Sequence, residues 1–413
     1  MATRRTRTEV AAVAARVTAR VSRLADFGDG TAVGGRVAMK VQPRAISDLA
    51  QGIPVTLVSA TNGKSTAATM LTAALSSRGP VAFNAGGSNM REGAAMALAQ
   101  TRRATCAVLE VDEMVLGPVA RETSAGWVVL MNASREYTRG VSLQRTLAHW
   151  AETLADPGLG FTVVANADDP VIAELAMTVH PADRVVWVGG GMEWRHDAAL
   201  CRRCESPVAW PDERRPDWAC TGCGLARPQP DWFVEDGILH GPDGARAPLV
   251  MHLPGRWLTS NAAFAVATAV TMGVPVASAA RAVATVSDVD GRYRAVDVEG
   301  RGVRLFLVKN PASWLEAVSL GGDAKVPIVL AMESFSFRDM TPGWDVDLSV
   351  LSGTRVVATG QRRLDVAVLL ETAGIPHTVI DDPVEAILSM PSGPVHVIAN
   401  YTAFKDLRRR LTT

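Results

Sequence analysis

Residues 59–70 read SATNGKSTAATM (Ser59–Met70). The preceding IPVTLVSA is apolar and β-branched, which predicts a buried strand. The following KSTAATMLTAALSS places Met70, Leu71, Ala74 and Leu75 near helical spacing, which predicts a helix. Strand, glycine turn and helix together form an arrangement that cradles phosphate, because free N–H groups and the helix dipole both favour an anion there. Lys64 would reach the terminal phosphates of a nucleotide, and the Ser65 hydroxyl would face Mg²⁺. The full G-x-x-x-x-G-K-[ST] pattern is not met, because position 58 is Val. An ordinary strand–helix turn is the alternative reading.

Outward from this loop, strands and helices alternate. VTLVSA, PVAFN, CAVLEVDE, GWVVLMNA, FTVVANADDP and RVVWVGG read as strands with helices between them, the pattern of a doubly wound α/β domain. A second α/β unit follows, with VRLFLVKNP, KVPIVLAME, TRVVATG, HTVIDD and PVHVIANYTA as its strands. The expected organisation is an N-terminal helix and Gly-rich turn over 1–45, a central nucleotide domain over 46–290 and a C-terminal α/β domain over 291–413. A hinge is expected at 288–297. An insert at about 190–245 interrupts the central domain.

That insert holds four of the five cysteines. Cys201-x-x-Cys204 and Cys220-x-x-Cys223 are separated by fifteen residues. Each pair can turn two thiolates toward one ion, and two pairs complete a tetrahedron suited to Zn²⁺. Two disulfides or a redox dithiol are the alternatives. Disulfides are uncommon in a cytosolic chain, and a redox pair needs only two cysteines. The expectation is a structural zinc ribbon with no open coordination position. Cys106, alone in a strand, reads as a small buried apolar residue.

The 413 residues carry 42 basic and 42 acidic side chains, so the net charge is zero. This balance argues against a broad nucleic-acid or membrane footprint. The Arg-rich start reads as an amphipathic helix, because Arg16, Arg20 and Arg23 interrupt any signal-type apolar core. The uncharged run 261–280 contains Gly273 and Pro275 and reads as a buried helix and turn. A cytoplasmic protein is expected.

Acids cluster at the strand ends. Glu110 ends the strand CAVLE, where a carboxylate can hold Mg²⁺ directly or through water; Asp112 and Glu113 compete for the role. NADDP (Asn166–Pro170) is a strand-to-turn signal, either a helix cap or a nucleotide contact.

TNGKST, LEVDE, NADDP, LPGRWLTSNAAFAVATA and KNPASWLEAV occur in the order found in Mur-type ligases, which the chain resembles over nearly its whole length. The ribbon insert and WDVDL narrow the resemblance to the ligase subunits of lipid II isoglutaminyl synthases. It implies ATP-dependent activation of the α-carboxyl of D-glutamate in lipid II as an acyl phosphate, then attack by ammonia. The ammonia would come from a GatD-like glutaminase partner, at the inner face of the membrane. It implies ATP contacts at Asn62, Gly63, Lys64, Ser65 and Thr66, at Asn261, and at Lys309 and Asn310. It implies Mg²⁺ at Ser65 and Glu110. Asp345 matches the aspartate lent to the partner's active site, with Asp347 as the alternative register, and either acid is also suited to cap the following turn. Three departures stand out: Ala60 replaces a usual Gly, Glu136 stands for an Asp after Asn132 and Arg135, and no match is found for the His and carbamoylated Lys of amino-acid-adding relatives. Such a relative, working without a glutaminase, is the competing function. A nucleotide-gated nucleic-acid binder is a third, disfavoured by the charge balance.

Overall fold

A computed structural model of the chain describes residues 2–411, apart from 26–27, 86–87, 102, 137–141, 192–193, 213–215, 252–254, 288–292 and 334–340. The chain opens with three helices, α1 (Ala2–Leu24), α2 (Thr31–Val41) and α3 (Ala45–Ala50). The expected Gly-rich turn is largely α2. Its glycines serve close approach: a Cβ on Gly34 would lie 2.8 Å from the Ala15 carbonyl oxygen of α1, and one on Gly35 would lie 1.9 Å from that of Glu92.

The alternating elements that follow are β1 (Val55–Ser59), α4 (Lys64–Leu75), β2 (Val81–Phe83), α5 (Arg91–Gln100), β3 (Cys106–Glu110) and α6 (Leu116–Thr123). Next come β4 (Trp127–Leu130), α7 (Leu143–Leu154), β5 (Thr162–Asn166), α8 (Pro170–Val179) and β6 (Val185–Gly189). The chain then makes a two-stranded ribbon, β7 (Val208–Ala209) with β8 (Ala219–Cys220). It returns as β9 (Trp232–Glu235), β10 (Ile238–His240) and β11 (Arg246–Pro248). One nine-stranded sheet results, in the order β11-β10-β9-β6-β5-β4-β1-β3-β2. From β9 through β2 neighbouring strands run parallel, and β9–β11 pair antiparallel at the edge.

Parallel strands need apolar cover on both faces. One face packs on α4 and on α9 (Arg256–Thr271) and α10 (Val276–Ala284), with Met70, Leu71, Phe264 and Val266 buried. The other packs on α3 and α5–α8, with Ile46, Leu116, Trp150 and Ile172 buried. The uncharged 261–280 run is therefore α9, a turn and α10. No helix among the described residues is long and apolar enough to cross a membrane.

Part of the expected hinge, 288–292, lies outside the described residues; from Tyr293 the chain is already strand. β12 (Tyr293–Val298), β13 (Arg301–Leu307), α11 (Pro311–Ala324), β14 (Ile328–Ala331), β15 (Val356–Thr359), α12 (Arg363–Thr372), β16 (His377–Ile380), α13 (Pro383–Leu388), β17 (Gly393–Ala399) and α14 (Tyr401–Arg410) complete it. They form a six-stranded sheet, β12-β13-β17-β14-β15-β16, parallel except for β12. The apolar core is continuous from α4 and α9 into Phe306, Trp314 and Val318. This continuity sets the N-terminus of α11 against the phosphate loop.

Candidate active site

All five residues of β1 are buried, and the chain turns at Gly63 with φ 81° before α4 begins at Lys64. A Cβ on Gly63 would lie 2.6 Å from Asn261 Oδ1, so glycine is required both by the backbone and by α9 crossing close above. The loop is pinned to the end of β4. Asn132 accepts from the Asn62 N–H at 2.8 Å and donates to the Asn62 carbonyl at 3.0 Å. The Ser134 N–H donates to Thr61 Oγ1 at 3.0 Å. Ala60, which stands for a usual Gly, is compatible with the turn, and its carbonyl accepts from Lys64.

Lys64 is only 4% exposed and lies 3.1 Å from Glu113 Oε1. An ammonium held beside the helix N-terminus, and paired with one acid, fits the terminal phosphates of a nucleotide. Ser65 and Thr66 are buried behind it.

The three acids after β3 are separated by their surroundings. Glu113 meets Lys64, and Asp112 Oδ1 accepts from the Met114 N–H at 3.1 Å. Glu110 is 1% exposed; its backbone is gripped on both sides by the Asn84 amide, and its Oε1 has no hydrogen-bond partner among the described residues. A buried carboxylate oxygen without a donor is costly unless a cation meets it. Glu110 thus fits a divalent ion, with the Ser65 hydroxyl as the second candidate ligand.

The C-terminal sheet contributes its own side chains. Asn310 caps α11 through Ser313, and its Oδ1 and Nδ2 pair with Nδ2 and Oδ1 of Asn62, both at 3.1 Å. Lys309 forms an ion pair with Glu136, the residue that stands for an Asp. A cleft is lined by the loop 61–66, Lys309, Phe306, Ser313, Trp257 and Glu316. A second adjoins it at Asn261, sharing Asn62, Gly63, Trp257 and Glu316 with the first. Asn261 Nδ2 is buried without a partner among the described residues, an unspent donor at that wall.

Asp345 ends a short 3-10 turn, Thr341–Asp345. It lies 3.7 Å from the Arg135 guanidinium, which also forms an ion pair with Asp197. Asp347 instead accepts from the Ser349 N–H at 2.8 Å, and that bond holds its carboxyl below the ordinary range. The bond makes a local turn ahead of Ser349–Leu351, whose cap position is Leu348, so neither acid is its N-cap. Trp344 is more than half exposed. The part of this segment over 334–340 lies outside the described residues.

The four ribbon cysteines bring their Sγ atoms within 4.8 Å of one another, as free thiols. A Cβ on Gly222 would lie 2.1 Å from Ser206 Oγ, so the second knuckle requires its glycine. The N–H groups of Gly222 and Cys223 donate to Cys220 Sγ at 3.3 and 3.4 Å, as suits a thiolate. Hydrogen bonds from Ser206 pull Cys204 down to about 6. The donor set fits Zn²⁺ and leaves no protein-free corner for catalysis.

Of the two expected readings of NADDP, the helix cap is found at Asp169. Two features escaped the reading of the sequence, the burial of those acids being the first. Both acids of NADDP are fully buried. Asp169 caps α8 and accepts from the Ala133 N–H at 3.1 Å, and burial raises its carboxyl to about 6. Asp168 pairs with Arg227, which follows the ribbon, at 2.7 Å. The other is the glycine run 189–191 at the end of β6, of which Gly190 and Gly191 line the second cleft. Its signal was visible, since three consecutive glycines after a strand mark a close backbone approach.

Residues 307–404 match the family model described as MurT ligase C-terminal. The Streptococcus pneumoniae lipid II isoglutaminyl synthase (glutamine-hydrolyzing) subunit MurT is 22% identical, over 94% of this chain and 94% of its own length. Among solved structures, Acinetobacter baumannii MurF superposes with a TM-score of 0.66 at 16% identity, over 91% of this chain and 80% of that one. A pseudomurein peptide ligase type C from Methanothermus fervidus gives 0.65 at 16% identity, over 89% and 81%. The fold is that of a Mur ligase. Within it, the likeness along the whole chain and in the last domain is to MurT.

Proposed function

We propose that this chain is the ligase half of a lipid II isoglutaminyl synthase. It uses ATP to activate the α-carboxyl of D-glutamate in the lipid II stem peptide, and ammonia from a GatD-like glutaminase then gives D-isoglutamine. A carboxylate does not react with ammonia at neutral pH until one oxygen becomes a good leaving group, and phosphorylation makes it one. The observation that carries the reading is that the MurT-type segment 307–404 meets the phosphate loop at Asn62 through Asn310, with Lys309 lining the same cleft and paired with Glu136.

In this reading the loop 62–66 and Lys64 hold the phosphates, with Lys64 moving from Glu113 to the nucleotide. Asn261 faces the base. Ser65 and Glu110 would hold Mg²⁺, which when bound would supply positive charge beside the transferred phosphoryl group. Lys309 and Asn310 orient that group against the acceptor carboxylate, which converts binding energy into positioning. Asp345 is offered to the glutaminase, where a carboxylate orients the histidine base of a cysteine nucleophile. The work is at the inner face of the membrane, where lipid II is presented.

The test is reconstitution with a GatD-like glutaminase, lipid II, ATP and glutamine, with mass spectrometry of the product. Amide in place of carboxylate, formed from glutamine or from free ammonium, supports the reading. Transfer of an intact amino acid would establish the competing amino-acid-adding function.

A further inference from the structure

We infer that the four-cysteine ribbon braces the base-side wall of the nucleotide cleft, with Arg227 as the positioning residue that fixes the turn Gly189–Gly191 through Asp168. The inference rests on the nucleotide reading of the loop and deepens it, giving the ribbon a part in ligand binding.

The glycine turn has no side chains with which to hold itself, and its neighbours hold it. The Gly191 N–H donates to Asp168 Oδ2 at 2.7 Å. On the other oxygen, Asp168 accepts from Arg227 Nε at 2.8 Å and from its terminal nitrogen at 2.7 Å. A Cβ on Gly189 would lie 2.7 Å from the Arg227 guanidinium, and one on Gly190 would lie 2.5 Å from Ser260 Oγ of α9. The turn is thus pressed between Arg227 and α9. Gly190 and Gly191 line the second cleft together with Asn166, Trp194, Ser260 and Asn261. Asp168 is fully buried, so its charge is tolerable only with this partner.

The ribbon makes a second tie to the same place. Trp218 Nε1 donates to the Ala167 carbonyl at 3.0 Å, and the Arg227 N–H donates to the Trp218 carbonyl at 3.0 Å. Trp218 and Arg227 flank the knuckle Cys220–Cys223, so both ties hang on the segment that the cysteines close. Four thiolates around one ion fix that segment, and without closure neither side chain keeps its place. The phosphate loop reaches the edge of the same cleft through Asn62 and Gly63, but it is held by its own hydrogen bonds to Asn132 and not by Arg227 or Trp218. The brace therefore acts on the nucleoside end of the ligand and not on its phosphates.

The experiment is calorimetric titration of the zinc-loaded chain with Mg²⁺–ADP and, separately, with Mg²⁺–tripolyphosphate. For Arg227→Met the expected result is unchanged zinc content, ADP affinity weakened about tenfold and tripolyphosphate affinity unchanged, with Arg227→Lys recovering part of the loss. Trp218→Phe, a milder change, should give a smaller shift of the same kind and serves if Arg227→Met is insoluble. Wild-type affinity for ADP in a folded, zinc-loaded Arg227→Met or Trp218→Phe chain overturns the inference. So does an equal loss for both probes, which would mark a merely structural role. Failure of the wild-type chain to bind either probe would instead overturn the nucleotide reading, and this inference with it.

Discussion

Asn62 and Asn310 exchange both of their amide hydrogen bonds at 3.1 Å, although 248 positions separate them in sequence. The pair links the phosphate loop of one sheet to the first turn of a helix on the other. Replacing either residue by Ala leaves one amide without its partner, and Asn310→Ala also removes a helix cap worth about 1 kcal/mol. A double-mutant cycle on thermal stability should show coupling of about 1 kcal/mol between the two positions. Additive losses would mean that the amides meet without energetic consequence.

Lys64 and Glu113 form a buried pair, so the two single variants should differ from the double one. Lys64→Met should abolish ATP use, and it strands a buried carboxylate at a cost of about 3 kcal/mol. Adding Glu113→Gln should recover most of the stability and none of the activity. Chemical denaturation and amidation assays separate the two effects. Amidation that survives Lys64→Met would remove this loop from the reaction.

Asp345 and Asp347 lie two residues apart and have different partners. Asp345→Asn should sharply lower glutamine hydrolysis in the complex while leaving amidation from added ammonium largely intact. Asp347→Asn should cost only the local turn at Ser349, with hydrolysis near wild type. The reverse pattern would move the role two residues along the chain.

Zinc is expected at one ion per chain by elemental analysis. Cys220→Ser should lower that content and the soluble yield, because Cys220 anchors the second knuckle and accepts two backbone N–H groups. Full zinc content in Cys220→Ser would show that the metal sits elsewhere.

His396 in β17 is buried against Phe306, and neither ring nitrogen has a hydrogen-bond partner among the described residues. Burial, aided by Arg304, lowers its pKa to about 4. The folded state therefore prefers the neutral ring. The associated stability is complete above the unfolded value of about 6.5 and is lost as pH falls from there toward 4, up to about 3 kcal/mol. Asp169 acts in the opposite sense, since its raised carboxyl relieves strain on protonation below about 6. The comparison that isolates His396 is thus against His396→Leu. The variant should match or exceed wild-type melting temperature at pH 7.5, and its advantage should grow at pH 5. A constant difference across that range would contradict the buried-neutral assignment.

Local pattern made much of this legible. β1, Gly63 and α4 followed from apolar spacing and one glycine, because a phosphate turn is a local structure. The ribbon followed from cysteine spacing for the same reason. The role of the glycines in α2 did not, since Gly34 and Gly35 answer to the backbones of α1 and α5, which no local window contains. The sorting of Glu110, Asp112 and Glu113 was equally out of reach. It depends on which acid Lys64 meets and on Asn84, the residue just past the end of β2. Arg227 was invisible for the strongest reason: its meaning lies in a buried acid far earlier in the chain and in a turn that has no side chains.

The ribbon lies on the crossover between β6 and β9, which are neighbouring parallel strands. The edge strands β9–β11 therefore reach their sheet only after the chain has passed through both knuckles. Closing the cysteines around an ion shortens the stretch whose ends must meet, and so lowers the entropic cost of docking β9. A nascent chain that captures metal early completes its sheet early. Until β9 docks, β6 is the edge of the sheet, the kind of unpaired edge that can pair with other chains.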